Sequence, residues 1–282
     1  FESRGLAYDA EHQRLIWTDN LPLGSPLPGG VVRSGSLAGG DVLDLVTRLT
    51  NPAGVGYDAR NQHLIWTDLG AVEVPSAIFA ANLDGSDPRE RIRDQYLSEI
   101  TDIAFDASRR QLYFTYVNPL IDSIYTGAIA CADLKDLSNV ETVVSGLARP
   151  RGLVVDPQTE QLYWADAGLS EQVSDGAIMA QSVDDACQSS GLQRTVIGGL
   201  DEPYGIALDP LAQDIYWTDE ATGKIQRTNV SGVLPFFEDV RTGLSKPRAI
   251  MIVPEPSSYV LLVSSIVVLS AARRRSTAAA FD

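Results

Sequence analysis

The residues of this sequence with the clearest potential for chemistry are aspartates that follow a recurring aromatic residue. Asp19 and Asp68 each close a Leu-Ile-Trp-Thr-Asp run, and similar runs end at Asp166 and Asp219. Carboxylates brought together can act as an acid and base pair or hold a divalent cation. A third copy of the run ends in Tyr116 and lacks the acid. A ring of cooperating aspartates is therefore disfavoured, and a structural role is expected for these carboxylates.

The two histidines do not supply the missing catalytic base. His12 and His63 both fall in a short turn before a tryptophan run, at nearly equivalent positions. A Ser-His-Asp arrangement needs a histidine that is held by an acid and faces a nucleophile. The sequence also contains no phosphate-binding glycine-rich loop and no zinc-ligand spacing. The pattern indicates exposed turn residues rather than an active site.

The aspartates belong to a long internal repeat. Each copy pairs a run such as Gly5-Leu-Ala-Tyr-Asp9 with a run such as Leu15-Ile-Trp-Thr-Asp19. The aromatic residue recurs in steps of 49, 48, 50 and 53 residues, at Trp17, Trp66, Phe114, Trp164 and Trp217. This period is typical of β-propellers.

Each copy predicts four short β-strands. The first two runs of a copy are apolar on consecutive residues, as in sheets that are covered on both faces. A single four-stranded blade cannot bury both faces, so the copies must stack and close into a ring. The predicted fold is all-β, a propeller of four-stranded blades over residues 1–253.

The repeat resembles the YWTD repeat, also called the low-density-lipoprotein-receptor class B repeat. The resemblance extends over residues 4 to about 253, with five recurrences in register. It implies that the aromatic residue wedges between blades, while the Thr and Asp of the motif bond neighbouring backbone. The structural positions implied in this way are Trp17, Asp19, Trp66, Asp68, Phe114, Trp164, Asp166, Trp217 and Asp219.

The strand count is uneven. The first strand occurs six times, because Arg248-Ala-Ile-Met-Ile-Val253 matches it, whereas the aromatic strand occurs five times. Five full blades plus the inner strand of a sixth are expected. Propellers that this sequence resembles typically have six blades, so we expect further strands, and a secretory signal, before Phe1. The alternative is a five-bladed ring with a spare closing strand.

The C-terminal segment, residues 254–282, predicts a sorting signal. Pro254-Glu255-Pro256 precedes an apolar run shorter than an ordinary spanning helix, and Arg273-Arg274-Arg275 follows it. Three arginines would keep the C-terminus on the cytoplasmic side of a membrane. The order resembles the PEP-CTERM signal of Gram-negative bacteria. That resemblance implies a short apolar helix, transient membrane anchoring, processing by an exosortase, and location in the envelope, at the outer surface or in an extracellular matrix.

The net charge and the number of cysteines limit the classes of ligand and metal site that the sequence predicts. The formal net charge of −15 repels phosphate backbones, so nucleic acid is not an expected partner. The two cysteines, Cys131 and Cys187, are too few for a disulfide scaffold or a thiolate metal site. They either pair with each other in an oxidising compartment or stay as two buried thiols.

Ligand binding is expected where the loops between second and third strands and the inter-blade linkers meet. Four of these loops are long, over residues 20–31, 69–77, 117–128 and 167–177, and the fifth is short, over 220–224. Extra length on one face indicates a binding surface. The linkers add a ring of candidate ligand-binding residues around the channel mouth: Glu2, Arg4, Asn51, Glu99, Arg149, Arg151, Glu202, Tyr204, Lys246 and Arg248.

Two functions fit this rim. The first is an exported binding module, without a catalytic residue or cofactor, for a protein or an exopolysaccharide. The second is a metal-dependent lactonase-like or esterase-like hydrolase, in which Glu2, Asn51, Glu99 and Glu202 supply oxygen ligands for Ca²⁺. Arg149 and Lys246 share the rim and would repel a cation. Binding is therefore the expected function, with the hydrolase as its alternative.

Overall fold

The computed structural model describes most of the chain. The described residues are 2–20, 29–37, 39–71, 74–94, 96–117, 127–169, 174–184, 186–231, 236–254, 259–263 and 267–271. Only the backbone is described for Glu2, Pro254 and the last two segments.

Five sheets each contain four consecutive antiparallel strands. Blade 1 contains β1 (Glu2–Asp9), β2 (Arg14–Asn20), β3 (Gly30–Ser36) and β4 (Leu43–Leu49). Blade 2 contains β5 (Pro52–Asp58), β6 (His63–Asp68), β7 (Ala77–Asn82) and β8 (Arg89–Ile92). Blade 3 contains β9 (Ile103–Asp106), β10 (Gln111–Val117), β11 (Gly127–Asp133) and β12 (Ser138–Leu147). Blade 4 contains β13 (Pro150–Asp156), β14 (Gln161–Asp166), β15 (Gly176–Val183) and β16 (Ser189–Leu200). Blade 5 contains β17 (Pro203–Asp209), β18 (Asp214–Asp219), β19 (Lys224–Asn229) and β20 (Phe237–Arg241).

A sixth blade position is filled by a three-stranded sheet of β21 (Ile250–Pro254), β22 (Tyr259–Val263) and β23 (Val267–Ala271). On one side, Ile250 packs with Ala207 and Ile225 of blade 5. On the other side, Val253 packs with Leu6 of blade 1. The prediction of five full blades plus the inner strand of a sixth is confirmed, and β21 lies between the first and fifth blades.

The C-terminal segment is described only in part. The backbones of β22 and β23 pair in register with the sheet that β21 begins. Glu255, Pro256 and Arg273–Arg275 lie outside the described residues. The short apolar helix and the boundary at residue 254 therefore stay predictions. Among the described residues, no helix is long and apolar enough to cross a membrane.

The first strand of each blade ends in a buried aspartate that shapes the following turn. In blade 1, Asp9 Oδ1 accepts the backbone N–H groups of Glu11 and His12 at 3.0 and 3.2 Å. A residue in the left-handed region, Gln13 with φ 54°, then reverses the chain into β2. Side chains of Asp and Asn bond nearby backbone in this way in turns. The equivalent turns therefore follow from local sequence, at Asp58, Asp106, Asp156 and Asp209.

The inner strands of the six positions lie side by side around a central channel, and glycine permits their close approach. Gly54 N donates to Thr101 O at 3.1 Å, so inner strands of blades 2 and 3 are directly hydrogen-bonded. A Cβ added at Gly205 would lie 2.0 Å from Arg248 O. Only a residue without a side chain fits there.

The hydrophobic core is divided among the seams between blades. One cluster joins Ile65 and Ile78 of blade 2 to Leu112 and Phe114 of blade 3, all nearly inaccessible to solvent. The tryptophans of blades 2, 4 and 5 are likewise fully buried. A buried aromatic residue of this kind stabilises a fold by about 3–5 kcal/mol relative to alanine. Each blade is therefore stable only against its neighbours.

A disulfide joins two adjacent blades. Cys131 of β11 is bonded to Cys187, which lies in the turn between β15 and β16. The bond closes a loop with a sequence separation of 56 residues. In the chain-entropy description, a loop of this size stabilises the folded state by about 4 kcal/mol. The structure thus answers the question that the sequence left open, whether the two cysteines pair.

The motif threonines tie one blade to the next. Thr218 Oγ1 accepts the N–H of Gly205 at 2.9 Å within its own blade and donates to Arg248 O, on the strand leading into β21, at 2.7 Å. Thr18 and Thr115 make the same two bonds at their seams. Blade 4 has Ala165 at this position.

Replacing Thr218 by valine preserves the shape of the side chain and leaves a buried N–H and a buried carbonyl without this partner. We expect Thr218→Val to lower the free energy of unfolding by about 2–4 kcal/mol. Urea denaturation measures it, with Thr242→Val as the control, since Thr242 is exposed and that change should stay within about 0.5 kcal/mol. Equal stability of the two variants would contradict the role of the seam hydroxyl.

Candidate ligand-binding face

The inter-blade linkers and the loops between second and third strands lie on the same face, which we call the upper face. Backbone N–H groups of Leu69, Ala167 and Glu220 in these loops donate to linker carbonyls at 2.9–3.0 Å. The remaining turns bond each other on the opposite, lower face, as when Leu83 N donates to Gln62 O. His12 and His63 therefore lie away from the channel mouth, next to the lower-face turns.

Three of the motif aspartates hold the linkers of the upper face. Asp68 accepts the backbone N–H groups of Thr50, Asn51 and Gly70, each at 2.9 Å. Asp166 and Asp219 accept the equivalent linker amides of their blades. Their oxygens are therefore committed to the backbone and fix where each rim side chain begins.

Asp19 differs from the other three. It accepts from the indole N–H of Trp17 and from Arg33 Nη1, both at 2.9 Å, and from the hydroxyl of Ser3. Among the described residues, no group of three or more His, Cys, Asp or Glu side chains is arranged to hold a metal ion.

One arc of the predicted rim gathers around Tyr204. The guanidinium carbons of Arg151 and Arg248 each lie 5.4 Å from the centroid of its ring. Cations at this distance are attracted to the face of an aromatic ring. Burial raises the pKa of the Tyr204 phenol, while Arg151, Arg4 and Arg248 oppose that rise. The arc is thus a concentration of positive charge on an acidic protein.

The other rim residues are held in different ways. Arg248 forms a bidentate ion pair with Glu220. Its Nε donates to Glu220 Oε2 at 3.2 Å, and its Nη2 donates to Glu220 Oε1 at 2.9 Å. Arg4 Nη1 donates to Asn51 Oδ1 at 3.2 Å. Arg149 lies 3.8 Å from Glu202 and donates to two loop carbonyls. The side chain of Glu2 lies outside the described atoms, and Glu99 and Lys246 are exposed.

These contacts bear on the predicted calcium ligands. Asn51 and Glu202 each face an arginine rather than a shared space. Glu99 is exposed, and its backbone carbonyl accepts the hydroxyl of Thr101. The described members of the set thus lie in different local surroundings, and an arginine beside an oxygen ligand would repel a cation.

Sequence reasoning missed Asp102, which lines a small cavity beside Tyr204. The other blades have Gly or Ala at this position, so the sequence did carry a signal, an acid where the repeat has a small residue. Its carboxylate accepts the N–H of Leu153 from blade 4 at 3.3 Å. Burial raises its pKa to about 7, and hydrogen bonds from the backbone of Ile103 and Leu153 oppose the rise.

A small cavity connects Asp102 with the arc around Tyr204. Its volume is about 30 Å³, enough for water molecules, and Arg4, Thr101 and Gly152 are among its lining residues. Parts of the four long loops predicted to shape this face lie outside the described residues, at 21–28, 72–73, 118–126 and 170–173. The short loop of blade 5 is described, and its Glu220 supports Arg248.

Comparison with known proteins agrees with this architecture. No family model matches the sequence. The chain is 28% identical over 154 residues to the human low-density lipoprotein receptor-related protein 5-like protein, a match that covers 55% of this chain and 54% of the relative. The chain therefore matches about half the length of that relative.

A solved structure resembles the whole fold. A chain in the crystal structure of a nidogen/laminin complex superposes with a TM-score of 0.69 at 22% identity, covering 88% of this chain and 84% of that one. The structural likeness shows the β-propeller fold, and the five repeats with the likeness to the receptor-related protein make the chain similar to propellers of the YWTD, or low-density-lipoprotein-receptor class B, type.

Asp102 makes stability depend on pH in a defined direction. The folded protein keeps this carboxyl protonated up to a pH of about 7, whereas the unfolded chain loses the proton near 4. Stability contributed by this group therefore falls as the pH rises from about 4 to about 7 and is constant above that range. Above this range, the group lowers the free energy of unfolding by about 4 kcal/mol.

Asp102→Asn removes this cost and keeps a hydrogen-bond acceptor. We expect the variant to gain stability over the parent by about 1.4 kcal/mol per pH unit between pH 5 and pH 7, with no further gain above. Urea denaturation across this range provides the measurement. The control is Asp94→Asn, an exposed aspartate that also accepts a backbone N–H. A stability difference that does not change with pH would show that Asp102 is ionised throughout.

Proposed function

We propose that this protein is an exported β-propeller that binds a protein partner on its upper face and is not an enzyme. The observation that carries the proposal is the gathering of Arg151, Tyr204 and Arg248 at one arc of the channel mouth. These side chains stand one residue before a position that is Gly or Ala in their blades. The repeat supplies the scaffold, and the unrepeated side chains supply the surface for recognition.

The relatives support a protein as the ligand. The curated relative is named as a receptor-related protein, and the structural neighbour comes from a complex of two proteins. An exopolysaccharide is the other ligand class that the sequence allows. The hydrolase alternative is disfavoured because Asn51 and Glu202 face arginines, and Asp68, Asp166 and Asp219 are committed to backbone amides.

Export is supported by the disulfide and by the C-terminal sequence. Disulfides persist in oxidising compartments and are rare in the cytosol. Pro254-Glu255-Pro256, the apolar run and Arg273–Arg275 have the order of a PEP-CTERM signal. We propose that this segment anchors the chain transiently in the membrane of a Gram-negative bacterium. An exosortase-type enzyme then processes it, leaving the propeller in the envelope or matrix.

A surface-blocking experiment tests the binding face without disturbing the fold. Both cysteines are disulfide-bonded, so an introduced cysteine is the reactive thiol of the oxidised protein. Ser245→Cys lies in an exposed upper-face linker, and Ala59→Cys lies in an exposed lower-face turn. Each is modified with a polyethylene glycol maleimide, and the full chain is used to capture proteins from the extracytoplasmic fraction of its own cells.

We expect modification at residue 245 to abolish capture of the specific partner and modification at residue 59 to leave it unchanged. The polymer excludes a partner from the face that carries it, and the unmodified cysteine variants serve as controls. Equal capture by both modified proteins would refute binding on the upper face.

A reporter fusion tests the sorting proposal. Residues 254–282 are attached to a secreted reporter, and localisation and processing are followed by cell fractionation and mass spectrometry. We expect an envelope-bound precursor and a processed product, both lost when Pro254-Glu255-Pro256 is replaced by alanines. A reporter that is neither anchored nor processed would rule the signal out.

A further inference from the structure

Arg151 carries a buried donor for which the described residues supply no acceptor, in a protein rich in acceptors. Among the described residues its guanidinium contacts the Tyr204 ring, and its buried Nε has no hydrogen-bond partner. The chain has 37 acidic residues against 22 basic ones, so acidic side chains are abundant. A buried donor that stays unpaired costs free energy. Because Arg151 is half-buried, a ligand can supply an acceptor to the part of its guanidinium that lies outside the buried Nε.

The neighbouring arginines show what a satisfied guanidinium looks like at this rim. Arg248 is paired with Glu220, and Arg149 donates to loop carbonyls. Each of these acceptors comes from the protein. Arg151 differs from them while occupying the same ring of linker positions.

Stacking explains why Arg151 can hold its place without an acceptor. A guanidinium that lies over an aromatic ring uses the face of its plane, and its five N–H donors remain in the plane. Tyr204 is itself only 8% exposed, so its ring is held in place by the surrounding side chains. The donors of Arg151 are thus positioned in advance for a planar acceptor with two oxygens, which is the geometry of a carboxylate.

The surroundings favour an acidic side chain of a polypeptide. The positive group of Arg4 adjoins the same ring and attracts a negative charge, whereas Arg248 is already paired with Glu220. The cavity below is about 30 Å³ and is lined by Leu6, Ile206 and Ile250 among others. Its apolar lining favours a group with an aliphatic stem beneath the charged end. The side chain of Glu or Asp meets both conditions.

We propose that Arg151, whose guanidinium lies over the Tyr204 ring, binds a carboxylate of an acidic peptide segment of the partner. This inference rests on the proposed function and adds the chemistry of the ligand.

The test measures the affinity of the full chain for a short acetylated and amidated oligoglutamate labelled with a fluorophore. Anisotropy is recorded against matched oligoglutamine, an oligogalacturonate and inorganic sulfate. The overall charge of −15 opposes non-specific binding of anions, so a specific site stands out. We expect oligoglutamate to bind and the other three to bind at least about tenfold more weakly.

Variants assign the binding to Arg151. Arg151→Gln should weaken oligoglutamate binding at least about tenfold, because charge-assisted bonds are lost. Arg151→Lys should give an intermediate affinity, because lysine keeps the positive charge and lacks the bidentate donor geometry of the guanidinium. Arg60→Gln on the lower face is the matched control, since Arg60 is exposed, and it should bind like the parent. Urea denaturation checks that each variant is folded.

Unchanged affinity in folded Arg151→Gln would overturn the proposal, as would equal binding of oligoglutamine or tighter binding of oligogalacturonate or sulfate. Failure here is distinguishable from failure of the proposed function. If the polymer at residue 245 blocks partner capture while Arg151→Gln binds oligoglutamate normally, the face is right and the assigned chemistry is wrong. If neither polymer position affects capture, the proposed face itself is wrong.

Discussion

The seam between adjacent blades is the contact on which the rest of this structure depends. Each sheet is apolar on both faces, so no blade can exclude water from its own core. Closure of the ring supplies the missing cover, and the motif threonine bonds the inner strands across the seam. Because packing requires the backbones to come close, glycine lies near the start of four inner strands, at Gly5, Gly54, Gly152 and Gly205. Stability is consequently shared around the ring, and β21 completes it by packing on both of its neighbours.

The same requirement determines which polar residues remain for function. Asp68, Asp166 and Asp219 hold linker amides, and the aspartates that end the inner strands hold turns. The repeated acids, which first suggested chemistry, therefore serve the scaffold. Recognition falls to side chains that break the repeat, such as Arg151 and Tyr204. The scaffold fixes the start of each rim side chain, so a few substitutions on one arc suffice to build a charged surface on an acidic protein.

The sequence predicted where most residues of the candidate site lie along the chain. It predicted few of the contacts that their side chains make. The repeat register assigned ten residues to the rim, and it also showed Asp102 where the other copies have Gly or Ala. Register cannot show that Arg248 bonds Glu220 while the described residues supply no acceptor to Arg151 Nε, because those outcomes depend on the reach of long side chains between blades. The raised pKa of Asp102 likewise arises from surroundings contributed by neighbouring inner strands.

The sequence by itself determined the architecture, since a period near fifty residues, doubly apolar strands and turn-forming aspartates are local signals that agree with one another. It also determined the acidic character and the order of the C-terminal segment. Only the tertiary structure decided that Cys131 bonds Cys187 and that β21 lies between blades 1 and 5. It also decided that two arginines lie against the ring of Tyr204. The physical reason is distance: these contacts join residues of different blades, and ring closure alone brings them within bonding range.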